Sequence, residues 1–191
     1  MANPAKQKLL VTTSNLLERQ GYHATGLKQI LEESGTPRGS LYYYFPDGKE
    51  ALAAEAITQR MNEMANHSRH LLGQVDDPAE AIYAMIRHFA EMMQRHGCGA
   101  GAPIAAVALE ASNSSERLRE ACAAGYDGLQ AVLAAKLVMG GFSAANAAKL
   151  AAIINASIEG AIILVRTKQD PAILFDIADA MKTVVQSTPK M

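Results

Sequence analysis

The sequence predicts an all-α protein with a small N-terminal head and a larger C-terminal body, about nine helices in total. Apolar residues recur at intervals of three and four along most of the chain, and the alternation of Val, Ile and Thr that is typical of strands does not occur. Only 7 of the 191 residues are proline, and alanine is frequent, so long helices can run uninterrupted. With hydrophobic residues at 49% and charged residues at 19%, the chain can bury a sizeable core.

The head is predicted to comprise residues 1–48 and to begin with two helices. The first runs from about residue 5 to 20, with apolar positions at helical spacing, and Gly21 is expected to end it. Thr25 is the expected N-cap of the second helix, because a threonine hydroxyl can accept a hydrogen bond from the first turn. Gly35 is expected to end this second helix after two or three turns.

A third short helix follows the Gly35 turn. Thr36 is expected to cap it and Pro37 to take its first position, where a missing N–H costs nothing. The helix itself reads RGSLYYYF, residues 38–45, and the turn at residues 46–48 closes it.

The body, residues 49–191, is predicted to hold the remaining helices. Their limits follow from Pro, Gly, Ser and Asn at positions that favour helix ends. The expected helices are residues 49–72, 78–97 and 103–111, a seventh capped by Asn113 or Ser114 that reaches residue 140, an eighth capped by Ser143 that reaches residue 168, and a last one opened by Pro171.

The charge distribution favours a localised rather than a general contact with nucleic acid. A formal net charge of -1 argues against a protein that coats nucleic acid without specificity. Residues 1–49 carry six Lys and Arg against four Asp and Glu, whereas the rest carries twelve against fifteen. The basic excess therefore lies in the head, where contacts to phosphates would need it.

Cysteine usage and hydropathy indicate a cytoplasmic protein without a membrane segment. The two cysteines form neither a disulfide framework nor a zinc-binding spacing. The N-terminus leads into an amphipathic stretch rather than the apolar core of a signal peptide. The most apolar run, residues 150–165, is interrupted by Asn155 and Glu159 and is too short to span a membrane.

The second and third helices have the pattern of a helix-turn-helix, in which a brief first helix crosses the DNA backbone and a second one enters the major groove. At 100° per residue, Leu41 and Phe45 fall on one side of the third helix and are expected to be buried. Gly39 and Tyr43 lie nearly opposite. A glycine there lets the helix backbone approach base edges closely.

The side chains around this face suit DNA. Arg38 can donate two hydrogen bonds to guanine, a contact that contributes about 1–3 kcal/mol of discrimination. Tyrosine offers a ring for a thymine methyl group and a hydroxyl for a phosphate. Thr25 and Lys49 stand at predicted helix N-termini, where backbone N–H groups and the helix dipole favour a phosphate.

Residues 25–52 resemble the DNA-binding signature of the TetR family of repressors. The resemblance rests on residues that fall where the family pattern has them, namely Gly35, Gly39, Leu41, Tyr42, Tyr44, Phe45 and Lys49. Thr36 and Pro37 replace the usual valine and serine of the turn, and Gly48 is an additional residue before the lysine. The resulting FPDGKE form resembles a subgroup of drug- and flavonoid-responsive repressors. The rest of the chain agrees with the family only in length and helix count.

The resemblance implies a homodimeric repressor that binds a palindromic operator in double-stranded DNA. The residues it places near bases or adjacent phosphates are Lys28, Arg38, Gly39, Ser40, Tyr42 and Tyr43, and those it places on the backbone are Thr25, Tyr44 and Lys49. An alternative is that the tyrosines only fill the core of a three-helix head. A bound effector is expected to favour a swung fourth helix and heads too far apart for the operator.

By the same resemblance, the fifth to seventh helices enclose a pocket for a small hydrophobic or aromatic effector. The candidate lining residues are apolar and include flexible methionines: Met61, Met64, Met85, Phe89, Met92, Met93, Ile104, Val107, Cys122, Tyr126 and Leu129. Ordinary core packing is the alternative for each of them. Glu110 and Asn113 are candidate polar anchors, or else surface and capping groups.

The eighth and ninth helices are the predicted dimer contact. Ala148, Ala152, Ala156 and Gly160 recur every four residues and would let helices approach closely, with Leu174 among the apolar residues nearby. The alternative is that this stripe packs within one chain.

Other classes of function are less favoured by the sequence. The GCGAGA stretch follows a helix and has the wrong glycine spacing for a dinucleotide site, no GxSxG motif occurs, and neither an enzyme nor a cofactor is predicted. Glu63, His67 and His70 share a helical face, but a solvated face is the better interpretation than a metal site.

Two regulatory alternatives also remain open. Cys98, in a predicted loop, would be the sensor of a redox-responsive regulator. A helical adaptor with a non-binding head is the other, although the Arg38-Gly39-Ser40 sequence argues against it.

Overall fold

The computed structural model describes residues 3–98, 105–111 and 114–190, and over these ranges the chain forms nine α-helices and no strand. The helices are α1 (Pro4–Ala24), α2 (Leu27–Ser34), α3 (Arg38–Tyr44), α4 (Lys49–Leu72), α5 (Pro78–His96), α6 (Ala105–Ala111), α7 (Glu116–Met139), α8 (Ala144–Lys168) and α9 (Ala172–Ser187). The predicted fold class is confirmed. The predicted start of the sixth helix at Pro103 lies outside the described residues.

Contacts between α-carbons divide the chain into two compact units. The first comprises Met1–Asn62 with Pro103–Gly125, and the second comprises Glu63–Ala102 with Tyr126–Met191. Helix α6 packs against α1 in the first unit, a contact that local sequence patterns do not reveal. The division at residue 48 groups residues by expected function and stays a prediction.

The core of the first unit is an apolar cluster supplied by α1 to α4. Its buried members are Leu9, Leu10, Leu16, Ile30, Leu41, Phe45, Leu52 and Ala56. Full burial of one leucine or isoleucine side chain contributes about 1.5–3 kcal/mol. This cluster anchors the short helices α2 and α3 against α1 and leaves their opposite sides open.

Two of the predicted N-caps in the head are wrong by one residue. Gly26 caps α2 in place of Thr25, and Pro37 caps α3 in place of Thr36. Both threonine side chains are buried instead. Threonine was expected at these positions because its hydroxyl satisfies helix N–H groups at the surface, whereas here the head core takes up both residues.

The caps of the body helices agree better with prediction. Ser143 Oγ accepts a hydrogen bond from the Asn146 N–H at 3.2 Å at the start of α8, as predicted. Helix α7 is capped by Ser115, whose Oγ accepts from the Leu118 N–H at 3.1 Å, and not by Ser114. The other candidate cap, Asn113, lies outside the described residues.

In the second unit, α9 packs against both α5 and α8. Lys182 on α9 pairs with Glu80 on α5 at 2.7 Å. Leu174 is fully buried in the interior of this unit, so its predicted place in the dimer contact is wrong. Helix α8 is long and apolar enough to cross a membrane by length and composition alone, yet 39% of its most apolar stretch is buried within the protein.

Candidate nucleic-acid interface

Helix α3 exposes the side that its periodicity predicted. Leu41 is fully buried and Phe45 is 2% exposed, whereas Tyr43 is 79% exposed. A Cβ placed on Gly39 would meet no atom within 4 Å. The side of α3 that carries Gly39 and Tyr43 is therefore open.

The tyrosines of α3 have different environments. Tyr42 is exposed, and the Arg38 guanidinium lies 5.6 Å from its ring centroid. Tyr44 is half-buried against the head core, and its ring meets that of Tyr43 edge-on at 4.9 Å. Core filling thus applies to part of Tyr44 but not to Tyr42 or Tyr43.

A glycine in the left-handed region makes the turn between α2 and α3. Gly35 has φ 60°, and its N–H points to the carbonyl of Glu32. The Thr36 N–H donates to the carbonyl of Leu31 at 3.3 Å. This conformation favours glycine over other residues, and it turns the chain so that α3 can follow α2 after a short connection.

Thr25 does not present a side chain to a ligand. It is completely buried, and its hydroxyl donates to the carbonyl of Gly21 at 2.6 Å. The hydroxyl therefore ties down the end of α1, and the predicted role of Thr25 on the DNA backbone stays a prediction.

The two candidate lysines differ in exposure. Lys28 is exposed, with its Nζ 3.8 Å from Glu32 Oε1, and its charge faces solvent. Lys49 is half-buried, donates from Nζ to the carbonyl of Tyr22 at 2.7 Å, and lies 4.0 Å from the Tyr22 ring centroid. Burial lowers the pKa of Lys49, and the nearby Glu110 carboxylate partly offsets this effect. Lys49 therefore stabilises the head itself, whatever it does for DNA.

The sequence did not reveal that Glu110 on α6 holds the end of α1. Its Oε2 accepts from the N–H groups of Tyr22 at 2.8 Å and of His23 at 2.9 Å. Gly21 has φ 77°, and a Cβ there would lie 2.2 Å from Glu110 Oε1. Glu110 was a candidate polar anchor for the effector pocket, but its carboxylate binds the end of α1 instead. No local sequence pattern predicts a contact between residues so far apart in the chain.

Two further contacts in the first unit join the start of α7 to the turn after α3. Arg117 donates to Asp47 Oδ2 from both terminal nitrogens at 3.1 Å. The Ser115 hydroxyl donates to Glu50 Oε1. The segment that follows α3 is therefore held by α7 as well as by the head core.

The effector-pocket candidates are divided between the two units, and Ile104 lies outside the described residues. Met61, Val107 and Cys122 belong to the first unit, and all three are buried. The candidates in the second unit are Met64, Met85, Phe89, Met92, Met93, Tyr126 and Leu129.

Two cavities of the second unit, of about 440 and 350 Å³, are lined mostly by other residues. Met85 contributes to the smaller one. The pocket assignment stays a prediction.

The small-residue stripe of α8 faces outwards. Ala148, Ala152, Ala156 and Gly160 are all exposed, so the stripe does not pack within the chain. Ile153, Ile163 and Leu164 are each nearly half exposed beside it. An exposed apolar helix face of this kind is what a helix-to-helix dimer contact requires.

Glu159, a half-buried acid in the second unit, has no counterpart in the sequence-based predictions. Burial raises the pKa of Glu159 to about 7, opposed by a hydrogen bond from Tyr126. Its Oε2 is buried and has no hydrogen-bond partner among the described residues. The sequence pointed to this carboxyl group only through the position of Glu159 within an apolar run.

Comparison with known proteins identifies the head and the body separately. Residues 9–56 match the model for bacterial regulatory proteins of the tetR family. Residues 78–180 match the model for the C-terminal domain of LmrA/YxaF-like transcriptional regulators, which alone covers more than half of the chain. The chain belongs to the TetR family.

Curated relatives agree with this assignment along nearly the whole length. The TetR-family chain is 39% identical over 182 residues to the HTH-type transcriptional regulator YxaF of Bacillus subtilis, covering 95% of each protein. It is 36% identical over 185 residues to the regulator LmrA of the same species, covering 95% of this chain and 97% of LmrA.

Solved structures confirm the TetR fold. The regulatory protein TetR from Rhodobacter sphaeroides superposes with a TM-score of 0.83 at 23% identity, covering 95% of this chain and 98% of that one. The reduced form of Escherichia coli NemR gives a TM-score of 0.80 at 22% identity, covering 94% and 96%. Together with the family models and the curated relatives, this fold makes the chain a transcriptional regulator of TetR type with an N-terminal helix-turn-helix.

Proposed function

We propose that this regulator is a repressor that binds a palindromic operator as a homodimer and releases it when a small apolar or aromatic effector binds. The observation that supports this most is the open side of α3, with Gly39 unobstructed and Tyr43 79% exposed. Helix α3 is anchored by one buried face and exposed on the opposite face, as a helix that enters the major groove must be.

In this proposal α3 reads bases and its neighbours hold phosphates. The Arg38 guanidinium lies over the Tyr42 ring, 5.6 Å from its centroid, and its two parallel N–H groups can donate to the O6 and N7 of guanine. Tyr43 meets a thymine methyl group or a phosphate, and Ser40, Tyr44 and Lys28 contribute polar contacts to the backbone.

The dimer places two such helices on one face of the DNA. The exposed stripe of α8 meets its copy under twofold symmetry, which buries the half-exposed Ile153, Ile163 and Leu164. Two heads then read half-sites about 34–36 Å apart, or a multiple of that distance.

Effector release is proposed to act through α4 and α6. The effector favours a state in which α4 has swung and the heads no longer match the operator, and it shifts the equilibrium only by its preference for that state. Helix α6 offers a second link, because a movement of Glu110 would release the N–H groups of Tyr22 and His23 at the end of α1.

A regulator that responds to oxidation through Cys98 is the second candidate, since NemR, a similar structure, is described in a reduced form. Burial raises the pKa of Cys122 to about 11, which disfavours the thiolate and hence a role for Cys122 as the partner of Cys98. If Cys98 is the sensor, mild oxidant releases operator DNA from the wild type but not from Cys98→Ser. If the organic effector is the signal, both proteins behave alike.

The test of DNA recognition is fluorescence anisotropy with the intergenic DNA upstream of the gene, at fixed salt. Arg38→Ala should weaken specific binding by roughly 5–150-fold, the equivalent of one bidentate base contact. Arg95→Ala removes an exposed arginine of the second unit and is the matched control, expected to bind like the wild type. Equal affinity of both variants for this DNA would contradict the assigned role of α3.

A further inference from the structure

Two histidines from different helices of the second unit face each other. The Nε2 atoms of His67 on α4 and His88 on α5 are 3.2 Å apart, and the ring centroids are separated by 5.2 Å. The Phe89 ring lies against both imidazoles, with centroids 6.3 Å from His67 and 6.1 Å from His88. His67 is otherwise exposed and His88 is half-buried, so a dissolved ion can reach the pair.

The two rings are in contact through their Nε2 atoms, so in the hydrogen bond one nitrogen donates and the other accepts. If both rings carry their proton on Nδ1 instead, both Nε2 atoms present lone pairs. That is the tautomer in which two imidazoles can share a metal ion.

The separation of the two nitrogens also fits a shared metal ion. Zinc binds histidine nitrogen at about 2.0–2.1 Å. An ion at that distance from two nitrogens 3.2 Å apart makes an angle of about 100–106° with them, close to the tetrahedral angle.

We propose that His67 and His88 form a chelating pair for a divalent ion of the Zn²⁺ class, which cross-links α4 to α5. Over the described ranges no group of three His, Cys, Asp or Glu could hold a metal, so water or another small ligand completes the coordination. This site differs from the set of Glu63, His67 and His70 weighed from the sequence, because the second histidine comes from α5. It is an open site, expected to bind and release the ion reversibly rather than to keep it as a structural metal.

The test titrates chelator-treated, full-length protein with Zn²⁺ against a chromogenic zinc indicator. The variants are His67→Gln and His88→Gln, and the matched control is His96→Gln, which removes an exposed histidine near the end of α5. Wild type and His96→Gln should bind one equivalent per chain, and each pair variant should lose about tenfold or more in affinity. The proposal is overturned if the pair variants bind Zn²⁺ as the wild type does, or if the wild type binds none.

Two further measurements are independent of the indicator. Co²⁺ in place of Zn²⁺ should give the intense visible bands of a tetrahedral site in the wild type and lose them in both pair variants, whereas only weak octahedral bands in the wild type would refute a tetrahedral site. Zn²⁺ at about a hundredfold excess over its Kd should raise the Tm of wild type and His96→Gln by roughly 5–10 °C. An equal rise in the pair variants would show that the ion binds elsewhere.

Discussion

Adding one methyl group at Gly39 separates the stability of the head from its recognition of DNA. Gly39 lies in helix α3, is exposed, and offers open space to a Cβ. Because alanine favours helix over glycine, Gly39→Ala should stabilise the free protein by about 0.5–1 kcal/mol, or raise its Tm by roughly 1–4 °C. If the α3 backbone approaches base edges at Gly39, the same methyl group collides with DNA, and specific affinity should fall by roughly 5–150-fold.

The assay pairs thermal unfolding with anisotropy on operator DNA. Gly128→Ala is the matched control, since Gly128 lies within helix α7 in the second unit and its Cβ would also meet nothing within 4 Å. Both variants should gain stability, and only Gly39→Ala should lose specific binding. Operator affinity equal to wild type in a stable Gly39→Ala protein would refute the close approach at this position.

Three other predictions rest on separate features. Gly21→Ala forces a side chain into a backbone with φ 77° and toward Glu110, so it should destabilise the first unit by about 2 kcal/mol or more, and an unchanged Tm would contradict this role. Ala156→Arg places a charge in the exposed α8 stripe and should turn the dimer into a monomer, as measured by analytical ultracentrifugation. Lys149→Arg changes another exposed position on the same helix and should leave the protein dimeric. A dimeric Ala156→Arg protein would rule out this interface. Because burial raises the pKa of Glu159 to about 7, the stability this group contributes is present below the ordinary pKa of glutamic acid and is lost as the pH rises through about 7. Glu159→Gln should therefore be more stable than wild type by up to about 3 kcal/mol near pH 8 but not near pH 5, and equal stability at both would contradict it.

The sequence predicted helix positions well wherever a local signal specifies them. The left-handed glycine at Gly35, the proline at the start of α5 and the serine cap of α8 each act within one turn, so their effect can be read from neighbouring residues. Thr25 and Thr36 misled the prediction because the head core buries both side chains. Capping preference describes a surface helix end, and tertiary packing overrides it here.

The candidate site was predictable on α3 and not beyond it. The spacing of Leu41 and Phe45 fixes which side of a seven-residue helix is buried, and hence that Gly39 and Tyr43 are open. The Glu110 contact with the end of α1 joins residues 87 and 88 positions apart, and no periodicity encodes such a pair. Leu174 was misplaced for a different reason. From sequence alone, an apolar residue in a core cannot be told from one in a dimer contact.

The open side of α3 is proposed to read DNA as one half of a twofold pair. Selection of bound sequences from a random DNA pool by the purified wild-type protein tests it most directly. We expect an enriched inverted repeat whose half-sites are centred about 10–10.5 base pairs apart, or a multiple of that, and whose enrichment falls with Arg38→Ala. An enriched sequence without twofold symmetry, or no enrichment at all, would contradict it.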